Sequence, residues 1–233
     1  EEMFSYSPQI SPTPTEEILL LEAQNTFWLL GGGYKQIQQI MNNLNESIEA
    51  DVFEAPFPHL ILHNFYNKEE LDLIWEELNF YTKPGKLLEA RDFGGIIDAT
   101  NSRAIILDQI YRDYSDSTDD TIIGSPDYRS LSNILTVNRK IFDKEIINTF
   151  SKIHDCVSLA PYADWDTTKV RYYHDGEYYE PHTDKKINYL AFSYFYKKPK
   201  KFTGGELYFP KYDYTFDCPN NSTIIFPGWV EHG

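Results

Sequence analysis

Hydrophobic residues follow helical spacing near the start of this chain and strand-like runs near its end. Ser5 to Thr15 carries Pro8, Pro12 and Pro14 among Ser and Thr and reads as an extended arm. Thr15, Glu16 and Glu17 then read as a helix start, because carboxylates favour the positive end of the helix dipole. The apolar stretch Ile18 to Leu30 would form that helix and stop at Gly31, Gly32 and Gly33; Ile37, Ile40, Met41 and Leu44 resume helical spacing. No strand is predicted before the three glycines and no Lys-Ser or Lys-Thr pair follows, so they read as a hinge between helices, not a phosphate loop.

A strand is predicted over 57–63, then a helix over 68–80 with Leu71, Ile74, Trp75 and Leu78 on one face. Residues 82–130 mix Gly, Asp, Ser and Thr with short apolar pieces such as Ala104 to Leu107, and read as a lid or binding loop. Asp116, Asp119 and Asp120 lack the spacing and glycine of a calcium loop and read as a solvated acidic stretch. A helix is predicted over 134–153, packed under strands that are short and turn-punctuated from Lys169 onward. The chain thus divides into an N-terminal Pro-rich arm and helical extension, 1–50, and a main domain, 51–233.

Composition narrows the class. At 233 residues and 41% hydrophobic, the chain can bury one full-sized core. Its 18 Tyr and 15 Phe suit pleated faces, where rings pack well. A formal charge of −15 repels phosphate backbones, which argues against general nucleic-acid or anionic-membrane binding and favours neutral or basic protein partners. Cys156 and Cys218, the only cysteines, imply no disulfide framework and read as buried free thiols. No apolar run approaches the length of a membrane span, and no basic-then-apolar leader is visible.

The most specific chemistry lies in His182-Thr183-Asp184 and the later His232. Residues i and i+2 of a strand point to one side, so His182 and Asp184 can converge while Thr183 faces away; His232 must then come from a neighbouring strand. Two imidazoles and a carboxylate are the ligand set that holds non-haem Fe(II) on one face and leaves three positions open. An isolated H-x-D pair is a weak signal; its surroundings make it specific. Tyr173, Gly176 and Tyr179 precede the pair, and Leu190 to Tyr196 form an apolar strand after it. Gly204-Gly205-Glu206 then leads to Phe209-Pro210, and Ile224-Ile225-Phe226 enters His232. Upstream, Pro56 to Leu62 and Asn67 to Leu71 look like an opening strand and helix.

In this order, over roughly 55–233, the chain resembles the 2-oxoglutarate- and Fe(II)-dependent dioxygenases, and within them the prolyl 4-hydroxylase-like group. The resemblance implies an α+β fold, mainly β: a double-stranded β-helix of the jelly-roll and cupin kind, with N-terminal and supporting helices. It implies Fe(II) held by His182, Asp184 and His232, with 2-oxoglutarate as co-substrate, O2 as oxidant and ascorbate as an accessory reductant. Tyr173 matches the family position whose phenol bonds the co-substrate, while Tyr179 is as well explained by packing. Arg171 reads as a solvated strand residue, His174 as an exposed turn residue, Glu206 as a tie within its turn, and Trp229 as a shield for iron or a plug of the barrel mouth. The basic run Lys197 to Lys201, Pro199 aside, reads as a solvated turn.

The family places an Arg or Lys about ten positions past the distal His for the far carboxylate of 2-oxoglutarate. This chain stops at Gly233 and opens Glu1-Glu2 before Met3, so it is expected to be trimmed at both ends. The expected activity is hydroxylation of a peptide or protein side chain, prolyl in the leading case, in a reducing cytosol. Two alternatives stand beside it. One is a nucleic-acid demethylase of the same superfamily, which a basic groove would mark; the other is a non-catalytic jelly-roll module docking through its N-terminal extension.

Overall fold

The computed structural model describes residues 19–25, 49–89, 100–118, 128–142, 166–184, 187 and 189–233. Ten strands run in the order β1 (Leu19–Asn25), β2 (Glu49–Phe53), β3 (His59–His63), β4 (Leu88–Glu89), β5 (Arg103–Ile106), β6 (Asp166–Tyr172), β7 (Tyr189–Phe195), β8 (Leu207–Phe209), β9 (Tyr214–Phe216) and β10 (Ser222–Pro227). Among the described residues three α-helices accompany them: α1 (Lys68–Tyr81), α2 (Leu107–Thr118) and α3 (Asn133–Asn138). The strand pairings are antiparallel throughout, so the class is α+β as expected.

Eight strands form one sheet in the order β2-β3-β10-β7-β1-β6-β5-β4, and β8 and β9 pair as a separate hairpin. Backbone bonds widen that hairpin into a second short layer. Tyr208 and Gly233 exchange bonds of 2.8 and 2.9 Å, and His182 and His232 exchange bonds of 2.8 and 2.9 Å. The strands between the layers and the helices carry apolar side chains on both faces, as two-sided burial requires. On β7, Tyr189, Ala191 and Phe195 face a core shared with α1 and α3, while Leu190, Phe192 and Tyr194 face a core shared with the hairpin. On β10 the same alternation sends Ile225 to the first core and Ile224 and Phe226 to the second.

Two expectations are corrected. Leu19–Asn25 is a strand, not part of a helix, and it lies between β6 and β7, antiparallel to both. A short apolar run suits either element; here two neighbouring strands offer their open edges to it, and pairing decides. Within 82–130, the described residues 103–118 are regular rather than a loop, since β5 pairs with β6 and leads directly into α2. Asp108 ties that helix to the sheet by accepting from the Thr168 amide at 2.6 Å, the Tyr128 hydroxyl at 2.9 Å and Arg129 Nε at 3.1 Å.

Other expectations are met in part. The predicted strand over 57–63 forms as His59–His63, and the predicted helix over 68–80 forms as α1. A capping box starts α1: the Asn67 side chain accepts from the Glu70 amide, and Glu70 accepts from the Asn67 amide. The helix expected over 134–153 forms as α3 and a short 3-10 turn, Arg139–Phe142; residues 143–165 lie outside the described residues. The arm, the glycine hinge, the second N-terminal helix and Cys156 also lie outside them. Cys218 is a buried free thiol, pushed up to about 12 by burial. Among the described residues, no helix is long and apolar enough to cross a membrane.

The packing of α1 on α3 turns on one carboxylate. Glu77, 8% exposed, accepts from Ser132 Oγ at 2.9 Å, the Ile134 amide at 2.8 Å and the Tyr111 hydroxyl at 2.9 Å. Removing it strands several buried donors, each costing about 1–3 kcal/mol when unsatisfied. Glu77→Ala is therefore expected to lower stability by roughly 3 kcal/mol in chemical denaturation. A loss below about 0.5 kcal/mol, the range of ordinary surface changes, would contradict this role.

Candidate metal centre

The site is built where β6 leaves the main sheet. After Tyr172 the chain turns through Gly176, whose φ of 75° is a left-handed conformation that glycine adopts without cost. Glu177 closes the turn by accepting from the His174 amide at 2.7 Å, and Arg103 of β5 bonds both Glu177 and His174. Residues 178–182 then run extended. Thr100 bridges to Tyr179, and the Tyr178 amide donates to Asn101 Oδ1 at 2.8 Å.

His182 next pairs with His232 across the second layer, and the Asp184 amide donates to Gly228 O at 2.8 Å. Gly228 makes that approach possible: a Cβ there would stand 2.2 Å from Ile187 O and 2.7 Å from Asp184 O. As the two-residue strand period requires, His182 and Asp184 lie on one side, with His232 beside them. One ligand atom from each of the three falls within 4.8 Å of the other two.

The histidines are fixed in matching tautomers. Nδ1 of His182 bonds Glu180 O at 2.9 Å, and Nδ1 of His232 bonds Val230 O at 2.9 Å. A carbonyl oxygen only accepts, so each Nδ1 carries a proton and Nε2 is the ring nitrogen left to face inward. Those two Nε2 atoms stand 4.0 and 3.9 Å from Asp184 Oδ2, too far for a hydrogen bond. Two ring nitrogens and a carboxylate oxygen thus converge, an arrangement that a divalent cation would complete and that backbone bonds to both rings preorganise. Fe(II) fits this donor set.

The surroundings differ around the two rings. His232 is 2% exposed, with Phe226 at 5.0 Å and Phe192 at 5.5 Å between ring centroids. The His182 side chain is 23% exposed and lies against Tyr179, centroids 4.0 Å apart and planes 23° from parallel. A cavity of about 910 Å³ opens beside both, with Tyr173, Tyr179, Phe192, Phe202 and Gly205 in its wall. Tyr173 therefore faces the same space as His182 and His232.

Arg171 departs from the sequence reading. It is 1% exposed, not solvated, and its guanidinium carbon sits 4.5 Å from the Tyr179 ring centroid. The cause is strand alternation: Val170 and Tyr172 point to the helix-side core, so Arg171 points with Tyr173 to the other face, where Ser102 and Tyr179 cover it. Its place on Tyr173's face was legible in the sequence; its cover was not. Arg103, which fastens the 174–177 turn, and Gly228 left no local signal at all. Trp229 is 54% exposed and absent from the cavity wall, whereas Lys200 and Lys201 of the basic run line it, together with Glu206. His174 stays a partly exposed turn residue outside the ligand cluster.

Gly228→Ala tests the close approach behind the ligands. Its Cβ would overlap backbone, not a flexible side chain, so a loss of roughly 1–3 kcal/mol is expected, read as a lower midpoint in thermal or chemical denaturation. An unchanged midpoint would mean that Asp184 and Gly228 are not packed in this way.

Comparison of the chain with protein-family models, with curated proteins and with solved structures finds no match in any of the three.

Proposed function

We propose that the chain is an Fe(II)- and 2-oxoglutarate-dependent dioxygenase that hydroxylates a peptide or protein side chain, prolyl hydroxylation being the leading case. The observation that carries the reading is the convergence of His182 Nε2, His232 Nε2 and Asp184 Oδ2, with both rings held by the backbone carbonyls of Glu180 and Val230. Its setting agrees with a double-stranded β-helix. The ligands sit on the short layer that faces the large sheet across an aromatic core, and the open side of the cluster borders a cavity. Bound Fe(II), with 2-oxoglutarate and O2, supplies the oxidising power to convert a C–H bond to C–OH, with succinate and CO2 as the other products.

The chain's own residues bind, orient and shield. His182, His232 and Asp184 would hold the ion through two ring nitrogens and one carboxylate, leaving it open to the co-substrate and oxygen. Tyr173, just past the end of β6, lines the cavity and is assigned the phenol bond to the co-substrate. Phe192 and Phe226 close off the ring of His232 and limit water at that end. No carboxylate base is required, so Glu206 is left outside the chemistry. The overall charge of −15 favours a neutral or basic peptide over a nucleic acid as acceptor.

Anaerobic titration with Mn(II) is expected to show one site, and Asp184→Ala to weaken it by well over tenfold, since even changes behind the ligands cost roughly 10–100-fold. Equal affinity in the two proteins would remove the metal assignment. The full-length protein is then expected to release succinate from 2-oxoglutarate. Tyr173→Phe should raise the co-substrate requirement by about one to two orders of magnitude, the worth of a hydrogen bond to a charged group. Peptides pooled from Pro-rich and basic sequences should gain about 16 Da, the mass of one oxygen atom. Mn(II) binding without succinate release would favour the non-catalytic module, and stimulation by methylated nucleic acid alone would favour the demethylase.

A further inference from the structure

We infer that Arg171 is a positioning residue for this centre, acting through the ring of Tyr179 on the imidazole of His182; the inference rests on the metal-site reading above. Arg171 is 1% exposed and heads the largest fully buried side chains among the described residues. Burying a guanidinium is costly, and an apolar residue of similar volume would fill the position more easily. Its contacts show what the charge does there.

The guanidinium carbon lies 4.5 Å from the centroid of the Tyr179 ring, a cation–π distance. The same ring lies 4.0 Å from the ring of His182, nearly parallel to it. Tyr179 therefore touches both the buried cation and the outer ligand. Arg171 itself is absent from the cavity wall, whereas Tyr179 belongs to it, so its influence on the site passes through that ring.

A hydroxyl relay fixes the arrangement. Arg171 NH1 donates to Ser102 Oγ at 2.8 Å, Ser102 Oγ and Thr100 Oγ1 share a bond of 2.8 Å, and Thr100 Oγ1 donates to Tyr178 O at 2.9 Å. One short segment thus holds both the guanidinium and the backbone that carries Tyr179. Thr100 and Ser102 are themselves 2% and 0% exposed, so the relay is built into the interior.

The need for such a device follows from the asymmetry of the two histidines. The His232 side chain is 3% exposed and is fixed by burial against Phe192 and Phe226. The His182 side chain is 23% exposed, so beyond its Nδ1 bond to Glu180 O its rotation is limited by what stacks on it. A pinned Tyr179 ring supplies that limit, and Arg171 pins the ring.

The test is Mn(II) affinity, followed by the EPR signal of free Mn(II), in a double-mutant cycle on the full chain, with thermal melting as the control for folding. Arg171→Gln, which removes the charge and keeps a donor for Ser102, should weaken Mn(II) binding by roughly 10–100-fold. Arg171→Lys, which keeps the cation, should recover to within roughly threefold of wild type. In a Tyr179→Leu background, Arg171→Gln should cause no further loss, because the route of coupling is already gone. Equal losses in both backgrounds, or no loss in either, would overturn the inference and leave Arg171 a structural residue. If Arg171→Gln does not fold, Ser102→Ala carries the cycle: a several-fold loss in the wild-type background alone supports the coupling, and equal effects in both overturn it. Failure of the wild type to bind Mn(II) is a separate result, which removes the metal reading itself.

Discussion

The site depends on one backbone pairing. His182 and His232 are 50 residues apart in sequence, yet each donates its amide to the other's carbonyl, at 2.8 and 2.9 Å. That exchange brings two imidazoles side by side and leaves Asp184, one strand period on, to reach the same point. The pairing is itself supported from both directions. Tyr208 of β8 takes up Gly233 on one side, and Gly228 lets the Asp184 backbone approach on the other.

Three candidate ligands brought together are not yet a metal centre; their donor atoms must also face one another. Here the backbone does that as well, since each imidazole donates its Nδ1 proton to the carbonyl two residues before it. The tautomer is thereby set by the same extended segments that place the ring. Such local acceptors hold both rings in place beside the carboxylate before any cation arrives. Burial then divides the labour: aromatic edges enclose His232, while Tyr179 stacks on the more open His182.

Away from the site, the large sheet is covered on both faces, and this gives the short layer a rigid floor. Alternate residues of β7 and β10 serve two cores, one under α1 and α3 and the other under the hairpin. The helix side is held by polar as well as apolar contacts. Glu77 gathers donors from α2, from the turn before α3 and from α3's first residues; Asp108 fastens α2 to β6. A constellation that must hold its geometry is better carried on such paired strands than on free loops.

The sequence alone determined the features that depend on local chemistry. The H-x-D spacing put two candidate ligands on one side of the chain, the Gly176 turn marked where β6 ends, and Asn67 with Glu70 started α1 through side chains three residues apart. Tertiary structure decided the rest, for reasons that local pattern does not contain. Leu19 to Asn25 is a strand because β6 and β7 both present unpaired edges to it, and a short apolar run accepts whichever element its neighbours complete. Arg171 is buried because Ser102 and Tyr179, distant or on the far side of a turn, close over the face that strand alternation assigned to it. The period of a strand fixes which way a side chain points, but only the fold decides whether water is waiting there.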